Sequence, residues 1–262
     1  MNVKDKEYQE HPVFADIDNY SEFYKALAII VLPWITDGTR ALGNLDTYVY
    51  SSIQGTLSSM SLILRDGRIN DAFCLLRKFY DSAIINVYTN LFLKNEFEID
   101  NFIVRQVDDW RRGTAQLPEY RIMSQYIRKS DEVSPISDLL FVDSRYSKIR
   151  DRCNDNTHFN FYKNVLLNDN LIHLPARQKA IDSFENDLRD LVIMHLSLLF
   201  CISPHYMMST DYIDAAECGV TPDPDSQYWV APFIQKIYSD VIKKNRPDVA
   251  QKLKEITDMQ LE

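Results

Sequence analysis

Glycine is scarce here: the 262 residues hold only 6, beside 10 prolines. Strand-and-turn architectures need glycine at many turn positions, so a sandwich or barrel is disfavoured and helices become the expectation. Cysteine is equally sparse. Cys74, Cys153, Cys201 and Cys218 lie far apart with no Cys-x-x-Cys pair, which argues against zinc-finger spacings and a disulfide framework and fits free thiols in a reducing compartment. No apolar run has the length and purity of a membrane span. Thr47 to Leu64 carries no charge but is rich in Ser, Thr, Tyr and Gln, and Leu191 to Ile202 is apolar but short, so both read as buried helices and no membrane partner is expected. The N-terminal MNVKDKEYQEHPVF is charged and lacks the apolar core of a signal peptide, which points to the cytoplasm. Motifs for phosphate loops (G-x-x-x-x-G-K-[ST]), nucleophile elbows (G-x-S-x-G) and helical di-metal sites (E-x-x-H) are missing, and His11, His173 and His205 read as isolated. Neither a metal nor a cofactor is expected. Basic charge is in deficit too. A net charge of -9 repels phosphate backbones over the surface as a whole, so contact with nucleic acid requires a locally basic site.

What the chain has is helical periodicity, with 45% hydrophobic residues, enough for a sizeable core. Asn19 or Ser21 is positioned to cap a first helix through Pro33, with Phe23, Leu27, Ile30 and Val31 inward. A second helix is predicted from about 45 to Arg65, ended by Asp66-Gly67, and a third over 68–94 with Ala72, Leu75, Leu76, Phe79, Ala83 and Val87 in one stripe. The two should form an antiparallel hairpin. Phe97 to Arg112 reads as a further helix stopped by Gly113 and Pro118, and the stretch from Asp143 to about Phe159 or Asn160 as a polar one. In NFYKNVLLNDNLIHL the Asn168-Asp169-Asn170 run suggests a turn between two short extended segments, with an irregular loop as the alternative. Pro175 opens a helix to about Ser203 with Ile181, Phe184, Leu188, Leu191, Val192 and Leu198 inward. Prolines and aspartates then crowd 203–228, marking a boundary or extended loop, before helices over 229–260 that Pro247 divides. The expected fold class is all-α: a bundle of long antiparallel helices over 1–204, plus a C-terminal helical appendage over 205–262 packed on the core.

The chemistry concentrates in one polar helix. At about 100° per residue, Arg150, Asn154 and His158 share a face, while Arg145, Lys148 and Arg152 gather on another. Residues 145 to 152 thus hold four basic side chains against the single acid Asp151, the local positive charge that the whole chain lacks. An imidazole exchanges protons near neutrality and a guanidinium holds phosphate bidentately, a pairing suited to phosphoryl chemistry without a metal. The same residues also fit a solvated helix face with ion pairs and a histidine at the negative end of the helix dipole. Arg77 and Asp81, four apart, read as a structural ion pair or as support for this helix.

The run R-D-R-C-N-D-N-T-H, preceded by CLLRKFYD on a long helix, resembles the HEPN superfamily of helical bundles, whose signature is Arg, four to six residues, then His. Arg152 and His158 have five between them. Leu75, Leu76, Arg77 and Asp81 match a Leu-Leu-Arg-x-x-x-acid stretch on an earlier helix, and the resemblance covers about residues 20 to 203. It implies a metal-independent ribonuclease, often a toxin or phage-defence effector, with its site at a homodimer interface and an antitoxin or regulatory protein as partner. In that scheme His158 acts as base or acid at the 2'-hydroxyl, Arg152 stabilises the phosphate and Asn154 orients one of them. Arg150, Asp155, Arg77 and Asp81 support the site, while Arg145 and Lys148 contact RNA. Arg150 competes with Arg152 for the part of the motif arginine. Arg189 and His195 have the same spacing, but His195 sits among Leu191, Val192, Ile193, Met194 and Leu196 and reads as a core histidine. Many superfamily members are inactive, so the alternative is a non-catalytic nucleotide- or protein-binding module. The -9 charge itself offers a third reading, in which the protein mimics nucleic acid.

Overall fold

The structure, a computed structural model, describes residues 1–33, 38–221 and 229–262. It is an all-α helical bundle. Among the described residues there is no strand, only isolated bridges at Glu98–Asn101 and Met208–Val230. The helices are α1 (Lys6–Gln9), α2 (Pro12–Val31), α3 (Gly38–Ala41), α4 (Leu45–Arg65), α5 (Ile69–Glu96), α6 (Arg105–Arg112) and α7 (Tyr120–Lys129). They are followed by α8 (Ser134–Leu140), α9 (Arg145–Thr157), α10 (Tyr162–Leu166), α11 (Ala176–Ile202), α12 (Thr210–Glu217), α13 (Pro232–Ile237) and α14 (Pro247–Ile256). A 3₁₀ turn at Pro204–Met207 follows α11, and a π-helical turn at Tyr238–Lys243 continues α13. Part of the loop expected at 203–228, residues 222–228, lies outside the described residues. No helix among them is long and apolar enough to cross a membrane.

Two compact units share the chain, each built from three separate stretches. Unit 1 comprises Met1–Ala28, Thr47–Ala83 and Asp143–Val192; unit 2 comprises Ile29–Asp46, Ile84–Val142 and Ile193–Glu262. The unit-1 core follows directly from helical spacing. Tyr50, Ile53, Leu57, Met60 and Leu64 are all buried along α4, alternating three and four residues apart, and α9 buries Tyr146, Ile149 and Cys153 in the same rhythm. Phe73 of α5 meets Phe184 of α11 edge to face, with ring centroids 5.3 Å apart. The junction of α4 and α5 is a Schellman turn: Gly67 N–H bonds Leu64 O and Arg68 N–H bonds Ile63 O. Gly67 has φ +81°, and a Cβ there would lie 2.3 Å from Val3 Cγ2, so both conformation and space demand glycine.

Three expected boundaries differ, each for a hydrogen-bonding reason. Helix α2 starts earlier than Asn19 or Ser21, because Pro12 opens it and the His11 ring Nδ1 accepts the Val13 N–H. Residues 97–104 do not extend α6 backward. Asn101 Nδ2 bonds Glu96 O at the end of α5, and Val104 N–H bonds Thr39 Oγ1. The segment after α9 is not two extended arms around a turn, because its amide side chains brace helix ends instead. Leu167 O accepts Ile69 N–H and Asn168 Oδ1 accepts Asp71 N–H, which together cap the first turn of α5. The fully buried Arg177 then pins the loop, donating to the carbonyls of Met1, Ile172 and Asp169.

Unit 2 packs Leu93, Val104 and Val107 against Leu45, Phe92 and Trp110. Residues from 205 onward belong to this unit, and α14 packs on α8. Its entry is fastened where Arg246 Nη2 donates to Leu139 O.

Candidate functional site

Helices α5 and α9 of unit 1 meet along a polar ladder. Asn70, Cys74, Arg77 and Asp81 recur at helical spacing on α5, so they form one stripe. Facing them, buried Asn70 donates to the backbone and side-chain oxygens of Asn156, and Thr157 Oγ1 lies 3.5 Å from Cys74 Sγ. Arg77 reaches both ways, with Nε 2.9 Å from Asp81 Oδ2 and Nη1 2.5 Å from Asn154 Oδ1. Asp81 Oδ1 in turn accepts Arg150 Nη1 at 2.9 Å. Four of the sequence-derived residues, Arg77, Asp81, Arg150 and Asn154, are therefore brought together, with Asp81 shared between two guanidinium groups. Cys153, buried beneath the ladder, has its thiol pushed up to about 12 by burial.

Arg152 points elsewhere. Its Nε and Nη2 bond Asp187 of α11 at 2.7 and 2.6 Å. Burial raises the Asp187 carboxyl above its ordinary range, against the lowering effect of the Arg152 hydrogen bonds. Arg145 pairs with Asp190 at 3.1 Å, whereas Lys148 is exposed. His158 is the C-cap of α9 and is exposed, and no hydrogen bond joins it to Arg150 or Arg152. Immediately after it the chain takes a Schellman turn, in which Asn160 N–H bonds Asp155 O and Phe159 N–H bonds Asn156 O. The left-handed position is held by Phe159 at φ +49°, a conformation that costs a bulky residue about 1–2 kcal/mol. Asn160 Nδ2 also bonds Asp155 Oδ1, tightening the same turn. Aromatic side chains crowd this end of the helix: Phe159, Phe161 and Tyr162 are all at least half exposed.

Beside this turn lies a cleft of about 360 Å³, formed by α9, α10 and the first turns of α11 within unit 1. Arg152, Lys163, Lys179 and Asp155 provide its charges, and Phe73, Phe161 and Leu167 provide apolar walls. Lys163, Lys179 and Phe161 were not anticipated from the sequence. The signal lay in Lys163 two residues beyond an aromatic and Lys179 near the start of a helix, neither of which is distinctive without the fold.

Three of the other histidines, His11, His195 and His205, serve structure. His195 is fully buried in unit 2 with Nε2 3.0 Å from Asn86 Oδ1, and burial alone lowers its imidazole to about 3. Asn86 Nδ2 and Asn90 Nδ2 both donate to Asp46 Oδ1, and Tyr206 O–H donates to Asp46 Oδ2. Asn86 Nδ2 thus points to the carboxylate and its Oδ1 to the ring, which makes His195 Nε2 a donor. His205, its ring 4.2 Å from that of Tyr206, is lowered to about 4 by burial and by Arg40. His11, expected to be isolated, lies within 4.8 Å of Asp182 and Glu185 in a grouping that resembles metal ligands. Its Nδ1 accepts the Val13 N–H, so Nε2 carries the ring proton and donates to Asp182 Oδ1 at 2.9 Å. That protonation opposes metal ligation through Nε2.

The fold and site thus define an all-α bundle with a histidine-ended polar helix beside a basic cleft. A scan against protein-family models and searches of curated proteins and of solved structures found no match to this chain.

Proposed function

We propose that the chain is a metal-independent endoribonuclease of HEPN type, acting as a homodimer in a toxin or phage-defence role in the cytoplasm. The observation that carries this reading is the position of His158. It stands exposed at the end of α9, one turn beyond Asn154 and two beyond Arg150, on a helix held in place by the ladder and followed by the strained turn at Phe159. Strain at such a position is a feature of working sites. In the reaction His158 takes the proton of a ribose 2'-hydroxyl and O2' attacks the adjacent phosphorus. The P–O5' bond then breaks, and the departing oxygen takes a proton from an acid, for which His158 of a second copy is available. Arg152, whose Nη1 is not used by Asp187, is suited to the charge that builds on the phosphate. The exposed Phe159, Tyr162, Leu171 and Ile172 supply apolar surface for self-association. Lys148 and Arg145 lie further along α9, where an RNA strand would continue.

Labelled RNA incubated in excess EDTA tests this. The reading requires cleavage that leaves 2',3'-cyclic phosphate ends and is lost in a folded His158→Ala protein. A folded dimer that leaves RNA intact sinks it.

A second reading, a non-catalytic nucleotide- or protein-binding module, draws on one observation: every arginine of α9 is paired with a carboxylate, Arg145 with Asp190, Arg150 with Asp81 and Arg152 with Asp187. Function that survives His158→Ala in cells would favour it, with an antitoxin or regulator as the partner sought by pull-down.

A further inference from the structure

We infer that the unit-1 cleft between α9, α10 and the start of α11 is a binding site for one nucleotide unit, phosphate together with base. This goes beyond the cleavage reading and needs no chemistry at His158. The first argument is charge. In a chain of net charge -9, the cleft lining collects Arg152, Lys163 and Lys179 against the single acid Asp155. Neither lysine has a carboxylate within ion-pair distance among the described residues, so their ammonium groups are available to an anion; Lys163 Nζ stands instead 5.2 Å from the centre of the Phe161 ring. Ala176, the first residue of the 27-residue α11, is also in the lining, which places the positive end of a long helix dipole at the cleft.

The second argument is preorganisation. Asp187 engages the Nε and Nη2 edge of Arg152 and leaves Nη1 without a hydrogen bond among the described residues. A guanidinium whose plane is already fixed loses less entropy on meeting a phosphate than a free one does. The Asp187 pairing that occupies one edge of Arg152 therefore aims the other.

Shape supplies the rest. Phe161 is half exposed on one wall, and its ring, over which the Lys163 ammonium stands, offers a base a stacking surface once that ammonium turns to the phosphate. Leu167 and Ala180 give apolar floor, and Asn164 and Ser183 give hydrogen-bonding groups for sugar or base edges. Asn164 spends its Nδ2 on Asp155 O, leaving Oδ1 to accept. A volume of about 360 Å³ lies at the small end of ligand sites, room for one nucleotide and not for two.

Calorimetric titration in EDTA with AMP, GMP, CMP, UMP, adenosine, inorganic phosphate and a 5'-phosphorylated hexaribonucleotide tests the inference. At least one nucleoside monophosphate should bind, with adenosine and inorganic phosphate each at least tenfold weaker. Lys163→Gln and Lys179→Gln should each weaken nucleotide binding about tenfold, and Phe161→Ala should weaken nucleotide but not inorganic phosphate, all with unchanged thermal midpoints. Free nucleotides binding as tightly as the hexamer would mark a site for free nucleotide; hexamer binding at least tenfold tighter, with the same lysine dependence, would mark a seat for a strand. Absence of binding below millimolar concentration by every ligand, or affinities indifferent to both lysine variants, overturns the inference, and phosphate binding as tightly as nucleotide overturns its base-stacking part. The two readings fail separately. A protein that binds nucleotides but leaves RNA intact refutes only the ribonuclease, and one that cleaves RNA with no lysine-dependent binding refutes only the cleft.

Discussion

Asp187 holds Arg152 by one edge of its guanidinium, with Nε 2.7 Å from Oδ2 and Nη2 2.6 Å from Oδ1. The carboxylate is almost wholly buried, whereas the arginine is 42% exposed. Removing the arginine by Arg152→Met leaves a buried charge unpaired, at a cost of about 2 kcal/mol, below the figure for fully buried pairs because Arg152 is partly solvated. The sign with pH follows from Asp187. Its carboxyl is already raised by burial, and loss of Arg152 raises it further. A carboxyl whose folded value exceeds its unfolded value of about 3.9 contributes stability at low pH that is lost as pH rises. The Arg152→Met deficit should therefore be largest at pH 7 and shrink towards pH 4, read as urea midpoints. A deficit independent of pH would show that Asp187 is not the group left behind.

Two buried histidines set the acid limit. His195 and His205 are lowered to about 3 and about 4, against an unfolded value near 6.5. The stability they give is complete above about pH 6.5 and falls as the unfolded chain takes up protons that the folded chain refuses. Each histidine contributes a slope of about 1.4 kcal/mol per pH unit between there and its folded value. Guanidinium midpoints should drop steeply from pH 6 to 5, and His205→Gln should halve the slope. Equal stability at pH 7 and 5 would contradict both burials.

The Asp81 carboxylate joins Arg77 to Arg150, so the two arginines should be energetically coupled through it. Asp81→Ala should cost about 1–2 kcal/mol, since the pairs are partly exposed. Once Asp81 is gone, Arg77→Met and Arg150→Met should each cost less than they do in its presence. A double-mutant cycle with strictly additive terms would remove the ladder as a unit.

Phe159 sits at φ +49° after His158, and glycine would adopt that conformation without strain. Phe159→Gly should raise stability by up to about 1 kcal/mol while reducing whichever activity the end of α9 supports. Thermal midpoints and the cleavage or binding assay, measured on one preparation, decide it; a variant that is both less stable and fully active would refute the assignment.

Much of the fold was legible because it is written in spacing. Tyr50, Ile53, Leu57, Met60 and Leu64 declare α4, and Asp66-Gly67 declares its end, since local sterics alone dictate both. The inward residues read along α11 are buried as expected. The start of α5 near residue 68 is legible in the sequence, but the group that caps it is not. No local pattern shows that Asn168 closes the first turn of α5 across 97 positions of sequence. The site was legible in part for the same reason. Arg150, Asn154, Arg77 and Asp81 could be grouped by face, but the choice of Asp187 by Arg152 depends on where α11 passes. The buried network of Asp46, Asn86, Asn90, Tyr206 and Arg40 went unread, because asparagines spaced along α5 carry no mark until a carboxylate from another helix meets them.

The division of the chain into interleaved units orders its biosynthesis. Every residue of unit 1 has been added once Val192 is in place, whereas unit 2 draws on a first stretch that begins at Ile29 and a last one that ends at Glu262. At ordinary elongation rates the stretch from Ile193 to Glu262 takes about 4–14 s to synthesise. During that interval the apolar faces of Ile29–Asp46 and Ile84–Val142 wait for partners not yet made. The growing chain therefore holds every residue of the unit that carries its candidate site before the other unit can be completed.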